Sequence, residues 1–223
     1  MPDSIVETYI SRYSGYTKFN RLQHIAEQSS SQEVRVAAKQ ALVKALRQSP
    51  CVELYVQECT QEQTKEYMGP EFTLDQAWVD ETEQKNLLEQ NELESDLHAK
   101  KGAMIKEHIR LAYKKLGDFH YKTGKMDDAQ KAYARMKDSC SSAEHTMEMC
   151  LKISLAFMDV GQFESALLCV VRGEASDQAD VPVMSRSKLR ATLGVLSLRE
   201  GRFRDAADHF LSLPSFIGNE YNE

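Results

Sequence analysis

One short sequence pattern recurs three times in the second half of this chain and limits the folds it can adopt. The pattern is a glycine, a large apolar residue two positions later, and an alanine three positions after that. Its copies are Gly124-x-Met126-x-x-Ala129, Gly161-x-Phe163-x-x-Ala166 and Gly201-x-Phe203-x-x-Ala206, at spacings of 37 and 40 residues. Glycine tolerates the positive φ that ends a first helix, the apolar residue begins a second helix, and alanine lets the two helices approach closely. The pattern therefore predicts a stack of helix pairs, an α-solenoid.

The residues around each copy favour helix pairs of the tetratricopeptide-like kind, whose repeats are about 34 to 40 residues long. In the first copy, Tyr113, Leu116 and Gly117 supply large and small residues on the first helix, and Tyr133 supplies an aromatic residue on the second. The later copies keep this alternation in weaker form, with Ile153, Ser154, Phe157 and Val170, and then with Leu193, Gly194, Ser197 and Phe210. Three unrelated helical hairpins in an ordinary bundle are the alternative.

The same pattern predicts which side chains form the hydrophobic core. The predicted core residues are Ile109, Leu116, Tyr133, Leu155, Phe157, Leu167, Leu193, Phe203 and Phe210. Truncating Phe157 or Phe203 to alanine should cost about 3 to 5 kcal/mol if the ring is fully buried.

The composition agrees with an all-α protein. Among 223 residues there are few glycines and prolines, 10 and 5, and no long stretch alternates polar and apolar residues as a strand does. The formal net charge of −6 gives no reason to expect nucleic acid as a partner. No apolar window reaches the length of a membrane helix, and residues 1–20 lack the apolar segment of a signal peptide. We therefore expect an intracellular chain.

Breaks in the helical pattern divide the chain into three predicted regions. Residues 1–69 form a small N-terminal helical cluster, in which Ser49-Pro50 is a natural helix start. Met68-Gly69-Pro70-Glu71 interrupts the helical pattern. Residues 70–99 are an acidic linker and the start of a long helix, and residues 100–223 hold the tetratricopeptide-like repeats. We expect at least ten helices in all.

The sign of the charge reverses just before the first repeat. Residues 71–96 carry nine acidic residues and one basic residue, whereas residues 98–115 carry six basic residues and one acidic residue. Apolar residues at helical spacing, from Ile105 to Leu116, predict that the basic stretch is one amphipathic helix. The predicted partner-binding residues are Lys100, Lys101, Lys106, Arg110 and Lys114. A solvated helix face, partly paired with the acidic stretch, is the competing interpretation.

The sequence contains no catalytic or cofactor-binding motif. It has no glycine-rich phosphate loop, no His-Glu-x-x-His, no Gly-x-Ser-x-Gly and no Cys-x-x-Cys. Cys140, His145 and Cys150 lack the close spacing and the fourth ligand of a zinc site. Glu107-His108 has no activating carboxylate that spacing identifies. The five cysteines are scattered and odd in number, which favours free thiols. We expect a protein that is not an enzyme and that binds neither metal nor cofactor.

Several longer strings resemble one known family. They are Ile105-Lys106-Glu107-x-Ile109-Arg110, Leu116-Gly117-Asp118-Phe119-x-Tyr121-x-x-Gly124, Asp138-x-Cys140-x-Ser142-x-x-His145-x-x-x-Met149-Cys150, and the terminal Gly218-Asn219-x-Tyr221-Asn222-Glu223. With Ala77-Trp78 they resemble the N-terminal helical-repeat region of the family of COP9 signalosome subunit 1. The resemblance extends over essentially the whole chain. The string from Cys140 to Cys150 makes it specific, because helix packing alone does not demand those residues.

This resemblance implies a scaffold role. Members of the family carry a C-terminal PCI domain through which six subunits form a ring, while a separate metalloprotease subunit removes the ubiquitin-like protein Nedd8 from cullins. The implied partners are other COP9 signalosome subunits and cullin-RING ligase components, in cytoplasm and nucleus, without membrane or direct nucleic-acid binding. The sequence stops at Glu223 without a winged-helix pattern, so we expect an N-terminal fragment. Two alternatives stay open: the paralogous scaffold subunit of the proteasome regulatory lid, and a stand-alone peptide-binding repeat module.

Overall fold

The computed structural model describes residues 2–61, 73–176 and 181–215, and these ranges are predominantly helical, without a strand. The α-helices are α1 Pro2–Ile10, α2 Gly15–Gln28, α3 Gln32–Arg47, α4 Val52–Thr60, α5 Gln76–Ala103, α6 Lys106–Thr123, α7 Met126–Ala134, α8 Ala143–Asp159, α9 Phe163–Glu174, α10 Val183–Arg199 and α11 Phe203–Leu211. A 3₁₀ helix, Arg135–Ser139, follows α7. The predicted all-α class of helix pairs is confirmed.

The repeat glycines end the first helix of each pair. Gly124, Gly161 and Gly201 have φ values of +85°, +78° and +75°. In each copy, the residue after the glycine donates its backbone N–H to the carbonyl five positions back, at 2.9 Å. The donor and acceptor pairs are Lys125 and His120, Gln162 and Phe157, and Arg202 and Ser197. This is the Schellman arrangement, in which a left-handed residue lets the chain satisfy the last carbonyls of the helix. The predicted role of these glycines is confirmed.

Small residues let the two helices of a pair approach each other. The repeat alanines Ala129, Ala166 and Ala206 are at most 2% exposed. On α6 of the first pair, a Cβ atom added to Gly117 would lie 2.4 Å from the ring of Tyr133 on α7. Only glycine therefore leaves room for that ring.

In the two later pairs, different residues allow the helices to approach each other. In the third pair, a Cβ atom on Gly194 would lie 2.6 Å from the ring of Phe210. In the second pair the corresponding residues are Ser154 and Val170, both fully buried. A slightly larger residue on the first helix thus goes with a smaller one on the second.

The helices form two compact units. The first unit contains the described residues up to Glu92 together with Phe119–Lys125, and the second contains Leu93–Asp118 and the described residues from Met126 onward. In the first unit, α3 packs against α1, α2 and α4. Its most deeply buried side chains include Leu22, Leu42 and Tyr55. The Tyr55 ring also packs edge-on against Trp78 at the start of α5, with 4.6 Å between ring centroids.

The second unit is built from the repeat helices. Helix α8 packs against α7, α9 and α10, and α10 packs against α9 and α11. Its core residues include Met147, Ala166, Val170, Leu189, Leu193 and Leu196. The first helices α8 and α10 are therefore each covered by their own partner and by helices of neighbouring pairs.

The predicted core residues fall into three groups. Three are buried, namely Leu116, Tyr133 and Leu193. Three are partly buried, namely Ile109, Phe157 and Leu167. The prediction is wrong for the remaining three, Leu155, Phe203 and Phe210, which are 46%, 69% and 38% exposed.

The exposure of Phe203 has a clear physical origin. Phe163 begins the second helix of the second pair, and the Arg199 guanidinium of α10 lies 3.5 Å from its ring centroid. Phe203 occupies the same position in the third pair, but no helix follows α11 among the described residues. Leu155 is exposed for a related reason, because the neighbouring helices cover only part of the surface of α8. Burial on a repeat helix thus depends on the next helix as well as on the helix's own sequence.

The prediction of one basic amphipathic helix is also wrong. Helix α5 ends at Ala103, and α6 begins at Lys106. Met104, between them, has a φ of +57° and is 82% exposed. No side chain from Lys101 to Ile105 is buried, so no packing holds this stretch in a single helix. Gly102, a poor helix former, weakens it further.

Two predicted features lie outside the described residues: the break at Met68-Gly69-Pro70-Glu71 and the terminal string that begins at Gly218. The domain boundaries at residues 69 and 99 stay predictions. No helix of the described ranges has the length and apolar character needed to cross a membrane.

Candidate partner-binding site

The five predicted binding residues occupy two helices of the second unit. Lys100 and Lys101 lie in the last turn of α5, and Lys106, Arg110 and Lys114 lie on α6. The break at Met104 therefore separates two lysines from the other three residues. Their partner-binding role stays a prediction, and the contacts of each side chain show which of them are available for it.

Arg110 is held inside the protein. It is only 5% exposed, and its Nε and Nη2 atoms donate to the two carboxylate oxygens of Glu107 at 2.9 and 2.7 Å. Its Nη1 atom donates to Glu148 of α8 at 2.5 Å. A two-pronged contact of this kind fixes the guanidinium plane and is among the stronger ion pairs in proteins. Arg110 therefore joins the first helices of two successive repeats.

The charges in this network shift each other's titration. Hydrogen bonds from Arg110 hold the pKa of Glu107 below its ordinary value. Burial acts to raise the pKa of Glu148, but hydrogen bonds from Lys114 and Arg110 outweigh it and lower that pKa overall. The hydrogen bond to Glu107 raises the pKa of Arg110. All three groups are thus held in their charged forms.

Lys114 and a neighbouring lysine make similar links between α6 and α8. The Lys114 ammonium donates to the second oxygen of Glu148. Lys152 of α8 donates to Asp118 of α6 at 2.9 Å, and Asp118 also accepts a 2.6 Å hydrogen bond from the Tyr133 hydroxyl. These contacts cross-link the first two helix pairs, so Arg110 and Lys114 serve the fold.

Of the other three predicted residues, Lys101 and Lys106 are exposed and Lys100 is partly buried. Lys100 pairs with Asp96 one turn earlier on α5, at 2.6 Å. The Lys101 ammonium lies 5.0 Å from the centroid of the Tyr113 ring, a cation–π contact at the surface. Lys106 is exposed, and no hydrogen bond or ion pair is found for it within the described ranges. The acidic stretch therefore neutralises Lys100, as the competing interpretation held, but not Lys106.

Sequence reasoning missed Glu148, which carries the network. It lies thirteen residues before the second repeat glycine, where the first and third copies have Leu111 and Lys188. Aligning the three copies would have singled it out as an acidic residue at a position without a fixed residue type. Its contact with Arg110 could not be inferred from spacing, because it depends on how two helix pairs stack.

The cysteines are packing residues in the structure. All five are free, and Cys51, Cys59 and Cys150 are buried. Burial raises the pKa of Cys51 to about 11 and that of Cys150 to about 11. These thiols are therefore protonated and weakly nucleophilic at neutral pH. No cluster of potential metal ligands is found among the described residues.

Glycine-capped helix pairs cross-linked by internal ion pairs define a helical-repeat protein. Residues 75–222 match the family model described as 26S proteasome subunit RPN7. Because the match covers more than half of the chain, the chain belongs to this family.

Curated relatives extend the similarity over almost the whole chain. It is 28% identical to COP9 signalosome complex subunit 1 of Arabidopsis thaliana over 219 residues, which are 98% of this chain and 49% of that protein. It is 30% identical to the protein of the same name from Emericella nidulans over 227 residues, 100% of this chain and 44% of that protein. A Drosophila melanogaster relative, COP9 signalosome complex subunit 1b, is 30% identical over 148 residues, 63% of this chain and 28% of its own length. The resemblance stated from the sequence is confirmed, and the chain spans about half the length of these first two relatives.

Proposed function

We propose that this chain is part of a subunit of the COP9 signalosome and acts as a non-catalytic scaffold. The observation that carries the proposal is the similarity to COP9 signalosome complex subunit 1 from a plant and a fungus, over 98% and 100% of the chain. A stack of helix pairs suits a scaffold, because each pair contacts only its neighbours and the array presents long surfaces to partners. The catalytic step belongs to another subunit in this proposal.

In this role the chain supports the removal of Nedd8 from cullin-RING ubiquitin ligases, in cytoplasm and nucleus. Its partners are other signalosome subunits and components of the cullin-RING ligases. The ion pairs of Arg110 and Lys114 with Glu148 keep two helix pairs in a fixed relation. A rigid arm of this kind holds a bound partner at a defined distance from a catalytic subunit.

Accessible lysines of the predicted set contribute to docking in this proposal. Lys101 and Lys106 are exposed, whereas Lys100, at the end of α5, is partly buried and paired with Asp96. Exposed cations mainly speed encounter with an acidic partner and add little affinity. Arg110 and Lys114 are left out of the docking set because Glu148 engages both of them.

The second candidate function is a scaffold subunit of the proteasome regulatory lid. The family model itself, described as 26S proteasome subunit RPN7, favours it. Both candidates share the helical repeats, so the fold does not distinguish between them. The two candidate functions differ in the proteins with which the chain assembles.

The proposal is tested by isolating the native complex. An affinity tag on the genomic copy of the encoding gene would allow purification from the source cells, and mass spectrometry would identify the stoichiometric partners. We expect the other signalosome subunits, together with a rise in Nedd8-modified cullin when the gene is deleted. Recovery of proteasome lid subunits with unchanged cullin modification would instead establish the second candidate.

A further inference from the structure

Helix α5 leaves most of its surface uncovered in the first unit. Of its residues up to Glu92, only Val79 is buried, and the partly buried ones, such as Asn86 and Gln90, fall on the same narrow stripe. The Asn86 side chain donates to the Pro50 carbonyl at 2.9 Å, which fixes this stripe against the turn before α4. The rest of the helix surface has no packing partner among the described residues of this unit.

Two adjacent leucines lie on that uncovered surface. Leu87 is 59% exposed and Leu88 is 64% exposed. Successive residues of a helix lie about 100° apart around its axis, so the two leucines flank one strip of the α5 surface. Single exposed leucines are common on protein surfaces, but two that flank one strip form a candidate contact point.

A groove lies directly beside Leu87. Its volume is about 280 Å³. The residues lining it include Val52, Glu53, Glu83, Asn86, Leu87 and Lys125. Apolar atoms of Val52 and Leu87 thus share one groove with the carboxylates of Glu53 and Glu83 and the ammonium group of Lys125. The two carboxylates outnumber the one cation, so the net charge of the lining is negative. Such a lining suits a side chain with an apolar stem and a cationic end, which are the features of lysine and arginine.

The charge around the two leucines indicates the sign of the charge that a partner should carry. Residues 76–96 of α5 carry seven acidic residues and one lysine. That lysine, Lys85, pairs with Glu81 on the same helix. Glu83, Glu89 and Glu92 have no hydrogen bond or ion pair within the described ranges. A cationic partner would pair with these carboxylates, whereas an anionic partner would be repelled.

From this geometry we propose that the uncovered face of α5, with Leu87, Leu88 and the adjoining groove, docks a basic amphipathic helix of a protein partner. The partner helix places leucine-sized residues on Leu87 and Leu88 and a lysine or arginine in the groove between Glu53 and Glu83. The part of α5 in the first unit, residues 76–92, is about 25 Å long, so a partner helix of several turns can lie along it. The site differs from the lysines at the end of α5, which have the opposite charge.

Other occupants fit this surface less well. A second copy of the chain would bring the same acidic face to a two-fold contact, and like charges would oppose each other. Nucleic acid and anionic membranes carry negative charge, which this face repels.

The test uses a defined probe and the whole 223-residue chain. The probe is a fluorescent synthetic helix of about 21 residues, with leucines at heptad a and d positions and lysines elsewhere. Binding is followed by anisotropy at about 20 and about 300 mM salt. A matched peptide with glutamate in place of lysine serves as the negative control. We expect the basic peptide to bind more tightly at low salt, and the acidic peptide not to bind.

Variants locate the binding site. Leu87→Ser with Leu88→Ser should weaken binding about tenfold at both salt concentrations. Glu53→Gln with Glu83→Gln should weaken it mainly at low salt and reduce its salt dependence. The matched controls are Leu168→Ser, which changes an exposed leucine of α9, and Glu144→Gln with Glu164→Gln, which removes two exposed carboxylates of the second unit. Leu88→Gln alone is the mildest variant and preserves the groove if the double leucine variant unfolds.

Each outcome has a clear meaning. Loss of binding in the α5 variants but not in the controls supports the proposal. Absence of binding, or equal binding by α5 variants and controls, overturns it. Self-association in analytical ultracentrifugation that the leucine variants abolish would also overturn it, by showing that a second copy covers this face. None of these results depends on which complex contains the chain.

Discussion

The first and third helix pairs share a sequence pattern but differ in burial. Each has a glycine beneath an aromatic ring, Gly117 with Tyr133 and Gly194 with Phe210. Tyr133 is 1% exposed, whereas Phe210 is 38% exposed. Helix α7 is covered by α8, while α11 packs against α10 with no described helix beyond it. The pattern therefore determines how the two helices of a pair meet, and the next helix determines how deeply the second helix is buried.

The largest expected difference is between two aromatic truncations. Tyr133→Ala should lower the free energy of unfolding by about 3 to 5 kcal/mol, because it empties a buried site and removes the hydrogen bond to Asp118. Phe203→Ala should lower it by less than about 1 kcal/mol, because that ring is 69% exposed. Urea unfolding followed by circular dichroism measures both. Similar losses for the two variants would contradict the comparison.

Removing the buried guanidinium should have the next largest effect. Arg110→Ala leaves Glu107 and Glu148 close together without their shared cation, and we expect a loss of about 3 kcal/mol. Lys106→Ala is the matched control on the same helix, with an expected change under about 0.5 kcal/mol. The same unfolding measurement applies. If Arg110→Ala lowers the free energy of unfolding as little as Lys106→Ala does, Arg110 does not stabilise the fold and is again a candidate docking residue.

The glycines beneath the aromatic rings should respond unequally to an added methyl group. Gly117→Ala should cost about 2 kcal/mol, because the Tyr133 ring is enclosed and cannot move aside. Gly194→Ala should cost less than about 1 kcal/mol, because the partly exposed Phe210 ring can rotate toward solvent. Thermal melting of the two variants compares them directly. If Gly194→Ala proves the more damaging, the explanation from neighbour coverage fails.

The smallest expected effect is a dependence of the free energy of unfolding on pH in the acidic range. The pKa values of Glu107 and Glu148 are lower in the folded protein than their ordinary value of 4.5. Their contribution is therefore present above pH 4.5 and is lost as pH falls through the folded pKa values. Unfolding curves at several pH values below 5 should show a steeper loss for the wild type than for Glu148→Gln. Parallel curves would show that Glu148 adds nothing to the acid sensitivity.

The local parts of the fold could be predicted from the sequence, because residues close together along the chain create them. The positive φ of Gly161 and the close approach at Gly117 are both of this kind. The exposure of Phe203 could not be predicted, because it depends on whether another helix covers α11.

The candidate site was less predictable for the same reason. The five basic residues were visible as a charge reversal, but their separate uses depend on distant contacts. Glu148, 38 residues from Arg110 along the chain, forms ion pairs with two of the five basic residues, Arg110 and Lys114. Met104, with its positive φ, divides the expected helix into two, because no side chain of this stretch is buried and packing does not favour a continuous helix.

The most direct test of the central claim, that the next helix buries the second helix of each pair, is hydrogen–deuterium exchange of the 223-residue chain. It compares peptides from α7, residues 126–134, with peptides from α11, residues 203–211. If neighbour coverage controls stability, the amides of α7 should exchange at least about a hundredfold more slowly than those of α11, because no helix follows α11 within the described residues and α11 can open alone. Equal protection of the two helices would show that each pair is stable by itself, and would contradict the claim.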